Sequence, residues 1–102
     1  MRIIIIGVGE VGFHVAKALT EEDFDITVID IDPKKCRRAS EHLDVIVVEG
    51  NGASAHNLLK AKVDGADYVL TLTRSDEVNL IASQQAHILG AKKIIARLRN
   101  QQ

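Results

Sequence analysis

Gly7, Gly9 and Gly12 stand at G-x-G-x-x-G spacing directly after four consecutive isoleucines, Ile3 to Ile6. A second apolar run, Ile26-Thr27-Val28-Ile29, ends on Asp30, 21 residues beyond Gly9. That separation matches a dinucleotide-binding βαβ unit, where an acid follows the glycines by about 20 residues. The chemistry requires these residue types. Gly7 permits a tight turn, Gly9 lets backbone approach a pyrophosphate, and Gly12 lets a helix pack on the strand. The intervening Val8, Glu10 and Val11 complete a loop that opens a helix. The first N–H groups of that helix offer donors and partial positive charge to phosphates. Asp30 can accept hydrogen bonds from ribose hydroxyls. The plainer alternative is a glycine-rich strand-to-helix turn with no ligand.

These residues need a scaffold, and the rest of the chain reads as one. Apolar runs that suit strands fall at about 2–6, 25–30, 44–48, 67–72 and 93–97. They are β-branched and apolar on both faces, as in a parallel sheet covered on both sides. Helical patterns alternate with them. The first covers about 10–20, with Val11, Val15, Ala18 and Leu19 as one apolar stripe. The second opens at Asp32-Pro33, an N-cap followed by proline at the first helical position. The third covers about 54–62 with Leu58 and Leu59 inward, and Gly65 helps end that connection. The fourth runs over about 76–89 from a Ser75 N-cap to a Gly90 stop. Its many apolar residues, among them Leu80, Ile81 and Ile88, predict either deep burial or burial on two sides, by the sheet and by another subunit.

The β-α-β-α-β-α-β-α-β pattern with short connections predicts a Rossmann-like α/β fold. This is a doubly wound parallel sheet of five strands in order 3-2-1-4-5, with helices on both faces. Residues 1–102 form a single dinucleotide-binding domain on this reading, shortened before the usual sixth strand. Ligands in such sheets bind beyond the carboxyl ends of the strands. Those ends supply Gly7 to Gly12, then Asp30, Ile31 and Asp32, then Asn51 and Gly52, then Thr71, Leu72 and Thr73, and finally Arg97. Asp30 argues for NAD over NADP, because a carboxylate repels a 2′-phosphate. The neighbouring Lys34, Lys35, Arg37 and Arg38 either oppose that argument or form a solvated basic face. Asn51 either reads an adenine edge or is a turn residue between two glycines. Arg97 either meets a phosphate, pairs across a subunit interface or makes a surface salt bridge.

Composition narrows the classes. With only Phe13, Phe24 and Tyr68 as aromatics, the core must be built from Ile, Val, Leu and Ala. A formal net charge of −1 gives no reason to expect nucleic acid. No apolar run approaches the ~18 residues of a membrane span, so no direct membrane insertion is expected. One cysteine, Cys36, suits a reducing compartment. His14, His42, His56 and His87 show no helical pairing, so a metal site is not expected. The glycine loop lacks the Lys-Ser/Thr ending of a P-loop, and no nucleophile elbow is present.

Beyond the glycine loop, two stretches are more specific. One is Thr71-Leu72-Thr73-Arg74-Ser75-Asp76-Glu77-Val78-Asn79-Leu80, and the other is Ile95-Ala96-Arg97-Leu98-Arg99-Asn100. With Val28-Ile29-Asp30-Ile31-Asp32, Val48-Glu49-Gly50-Asn51-Gly52 and Ala66-Asp67, the chain resembles the N-terminal regulatory domain of Trk/Ktr-type potassium uptake systems, the RCK or KTN domain. The resemblance implies a cytoplasmic, non-enzymatic regulatory subunit at the inner face of the membrane. It further implies binding of NAD or NADH, or of ATP and ADP. Assembly into a homodimer or larger ring, docked on an integral-membrane potassium transporter subunit, also follows from it. Gly50-Asn51 departs from the family's usual Gly-Asp. The competing readings are the cofactor half of an NAD-dependent oxidoreductase and a nucleotide-free interaction scaffold.

Overall fold

The computed structural model describes residues 1–99. Asn100, which closes the second specific stretch, lies outside them. Five parallel strands, β1 (Arg2–Ile6), β2 (Asp25–Asp30), β3 (Ile46–Glu49), β4 (Tyr68–Thr71) and β5 (Lys93–Ala96), form one sheet in order β3-β2-β1-β4-β5. Helices α1 (Glu10–Thr20), α2 (Pro33–His42), α3 (Ala55–Lys60) and α4 (Asp76–Ile88) make the crossovers. The predicted fold class and strand order both hold.

The isoleucine run fills both faces of the central strand. Ile3 and Ile5 pack with Val28, Phe13, Ala16 and Ala39 under α1 and α2. Ile4 and Ile6 pack with Ile29, Leu58, Val69, Ala82 and Ala86 under α3 and α4. Burying each isoleucine contributes about 1.5–3 kcal/mol, so β1 is the sheet's anchor. The edge strands differ from expectation. Ile46 of β3 and Ile95 of β5 are exposed, because an edge strand has neighbours on one side only.

Three helix faces are also corrected. In α1 the buried residues are Gly12, Phe13 and Ala16, while Val11 and Ala18 are exposed. The reason is local. A Cβ on Gly12 would collide with the Gly7 carbonyl oxygen, so Gly12 must face the strand and thereby sets the rotation of the helix. In α3 Leu58 is fully buried but Leu59 faces out. In α4 the inward face is Asn79, Ala82 and Ala86 at i, i+3 and i+7. Leu80, Ile81 and Ile88 point outward, at 48%, 49% and 74% exposure, so α4 is not deeply buried within this chain. After α3 the chain turns at Lys62, which is left-handed at φ 64°, into a short 3-10 turn (Val63–Gly65). Lys62, not Gly65, carries that reversal.

Candidate functional site

The strand order reverses between β1 and β4, and a cleft of about 710 Å³ opens there beyond the carboxyl ends of the strands. This size falls within the range of small-molecule sites. Ile6, Gly7, Gly9, Glu10 and Val11 form its floor, and Ile29, Asp30, Ile31, Asn51 and Gly52 form one wall. Leu72, Thr73, Arg74, Ser75, Val78, Arg97 and Arg99 form the other.

The floor is shaped by the glycines. Gly7 adopts φ +95°, and a Cβ there would meet Thr73 N at 2.8 Å. The β1–α1 turn thus lies directly on the β4–α4 loop. Gly9 is the N-cap of α1 and has no side chain to cap it. Above it only Lys35 is near, with Nζ 3.5 Å from a Cβ built there. The backbone at Gly9 is therefore open to the cleft, and the first N–H groups of α1 border the same space.

Asp30 ties the floor to the wall. Its Oδ2 accepts the Val8 amide at 2.8 Å and its Oδ1 accepts the Asp32 amide at 2.9 Å. Each carboxylate oxygen keeps acceptor capacity toward the cleft. Asp32 itself caps α2, accepting from Lys34 N at 2.9 Å, with Pro33 at the first helical position. Asn51 is a turn residue in part. Its Oδ1 accepts the Ala53 amide at 2.8 Å, so its carbonyl end is engaged while the residue still lines the cleft.

Asn79 organises the opposite wall. It is fully buried, and every hydrogen-bonding atom of its amide is used. Oδ1 accepts from Thr73 N at 3.0 Å and from Thr73 Oγ1 at 2.7 Å. Nδ2 donates to Thr73 O at 3.0 Å and to Arg97 O at 2.8 Å. One side chain thus fixes the β4–α4 loop to the end of β5. Ser75 caps α4 by accepting from Val78 N at 3.2 Å. Asp76 Oδ1 accepts the Arg99 amide at 2.7 Å.

Of the residues singled out from the sequence, Gly7, Gly9, Glu10, Val11, Asp30, Ile31, Asn51, Gly52, Leu72, Thr73 and Arg97 meet around the cleft. Four stand behind its lining. Val8 is buried and offers its amide to Asp30. Gly12 packs on Gly7. Asp32 caps α2. Thr71 is buried, with Oγ1 3.2 Å from Ser83 Oγ. Arg74 and Val78 also line the cleft, although the sequence assigns them no ligand role, and the α2 basic run, open in the sequence between a place beside Asp30 and a solvated face, divides between the two. Lys35 and Arg38 line the cleft, whereas Lys34 and Arg37 do not.

The charge at the cleft differs from that of the chain. Lys35, Arg38, Arg74, Arg97 and Arg99 line it against only Glu10 and Asp30. In a protein of net charge −1, this concentrates positive potential where helix N–H groups also point, and it favours a polyanion. Among the described residues no cluster of potential metal ligands is present.

A doubly wound five-stranded sheet with a cationic cleft at its switch point defines a Rossmann-like domain. Within that class the chain belongs to the TrkA-N domain family, whose model matches residues 3–102. It is 43% identical over 100 residues to the Trk system potassium uptake protein TrkA homolog of Archaeoglobus fulgidus, covering 98% of this chain and 22% of that protein. The chain spans about a fifth of the length of the curated relatives it matches. Among solved structures it is similar to the AMP-bound Kef CTD of Shewanella denitrificans, with TM-score 0.78 and 21% identity over 93% of this chain and 57% of that one. It is also similar to the Bordetella bronchiseptica enzyme WbmG in complex with NAD, with TM-score 0.70 and 20% identity over 92% of this chain and 36% of that one. At these identities the two structures speak to the fold alone.

Proposed function

We propose that residues 1–102 are a single nucleotide-sensing regulatory domain of a potassium transport system, binding NAD(H) or ATP/ADP without turnover. The observation that carries this reading is the cleft itself. An open Gly9 backbone at a helix N-terminus shares one cleft with the Asp30 carboxylate and five cationic side chains. Phosphates suit the helix end and the cations, and ribose hydroxyls suit Asp30. The TrkA naming of the relatives supports potassium transport as the context.

On this reading the domain is cytoplasmic and acts on a membrane-embedded translocating subunit. No helix among the described residues is long and apolar enough to cross a membrane. The outward apolar residues of α4 (Leu80, Ile81 and Ile88) support assembly as a homodimer or ring. Nucleotide exchange gates transport only by the difference in its affinity for the two assembly states.

The test is potassium flux through the system's membrane subunit, reconstituted in vesicles with this chain. Flux should differ between nucleotides, for example between NADH and NAD⁺ or between ATP and ADP. Identical flux with every nucleotide and with none contradicts the proposal.

A further inference from the structure

α2 presents four basic side chains, and the structure separates them into two that face the cleft and two that do not. The two that face it are held differently. The Arg38 guanidinium lies 3.8 Å from the centroid of the Phe13 ring, which pins it by cation–π attraction. Lys35 has no such anchor. Among the described residues it forms no ion pair; the pairs there are His14 with Glu10 and Lys92 with Asp67. Its ammonium instead reaches back over the glycine turn, 3.5 Å from a Cβ built on Gly9.

Two positive features therefore converge on one small space. One is an unpaired ammonium from α2, and the other is the uncapped start of α1. An anion seated between them would be attracted by both. A compact point charge on a flexible stem suits an anion with several equivalent oxygens, which needs no fixed fork.

Resting on the nucleotide reading above, we propose that Lys35 is a specificity-determining residue. It closes over the phosphates from α2 and biases the cleft toward ligands that carry a diphosphate. Asp30 answers to the ribose and Lys35 to the phosphate charge. The basic run on α2 is thereby divided, with Lys34 outside the cleft.

The experiment is calorimetric titration of the chain with AMP, ADP and NAD⁺ at two salt concentrations, comparing wild type, Lys35→Gln, Lys35→Arg and Lys34→Gln. Lys35→Gln should weaken ADP and NAD⁺ by about three- to tenfold, the scale of one charge-assisted contact, and AMP by less than about twofold; an equal loss for all three overturns the specificity role. Its affinity should also fall less steeply with salt than that of wild type. Lys35→Arg should restore most of the affinity, and Lys34→Gln should stay within about twofold of wild type. Wild-type affinity in Lys35→Gln, or an equal loss in Lys34→Gln, overturns this inference alone. A wild-type chain that binds none of the three ligands overturns the nucleotide reading along with it.

Discussion

The Asp30 carboxylate accepts the Val8 amide at 2.8 Å, so the acid at the end of β2 holds the glycine loop in place before any ligand is considered. Its other oxygen holds the start of α2 through the Asp32 amide. Removing it should therefore cost stability as well as affinity. Asp30→Ala should lose about 2 kcal/mol, since hydrogen bonds to charged groups contribute about 1.5–3 kcal/mol. For a domain of this size that lowers the melting temperature by roughly 10 °C. Asp30→Asn keeps one acceptor oxygen and should fall between. Thermal denaturation checks the series, and an Asp30→Ala variant melting with wild type would show the two amides do not depend on it.

Gly12 and Gly9 should behave in opposite ways. A Cβ on Gly12 lands on the Gly7 carbonyl oxygen, which is backbone and has little room to yield. Gly12→Ala should cost about 3 kcal/mol or more and yield little folded protein. A Cβ on Gly9 meets only the end of Lys35, a flexible neighbour. Gly9→Ala should fold with near-wild-type circular dichroism and melting. It should still lose nucleotide affinity, because the methyl occupies the space phosphates must approach.

Asn79 is worth more than its volume. Asn79→Leu preserves size but strands the Thr73 amide and the Thr73 and Arg97 carbonyls inside the wall. Both Asn79→Leu and Asn79→Ala should lose about 2–4 kcal/mol in urea unfolding. A neutral Asn79→Leu would mean that water or local rearrangement replaces the amide.

Asp67 provides a pH test at the opposite end of the sheet. The Arg2 amide, at 2.8 Å from Oδ2, and Lys92, at 3.3 Å from Oδ1, hold its carboxyl below the ordinary value of 3.8. A depressed folded-state value means the contribution is present above 3.8 and is lost as pH falls through the folded value. Asp67→Asn should therefore melt below wild type at neutral pH, with the gap closing in acid below 3.8. A gap of constant size down through that range would contradict the ionic origin.

The sheet was legible because its signals are local and redundant: β-branched runs, glycine turns, Pro33 after Asp32 and Ser75 before Asp76. Helix faces were less so. Val11 and Gly12 differ by one position, and only the Gly12–Gly7 contact, a tertiary fact, decides which turns inward. Leu58 and Leu59 pose the same problem, since two adjacent leucines on a short helix cannot both face the core. Asn79 stands in a specific stretch of the sequence, but its inward-facing role is not legible there. Its partners lie 6 and 18 residues away, in a loop and a strand end. Lys35 stands in a run of four basic residues that the sequence leaves open between a place beside Asp30 and a solvated face. Only the rotation of α2 separates it from Lys34.

The most direct measurement is calorimetric titration of wild type and Gly9→Ala with NAD⁺, NADH, ATP, ADP and AMP, after melting curves establish that both are folded. Wild type should bind at least one of these saturably, and Gly9→Ala should lose that binding at near-equal stability. Wild-type binding that survives intact in Gly9→Ala would place the ligand elsewhere. No binding by folded wild type would leave the cleft a structural turn and contradict nucleotide binding by this domain.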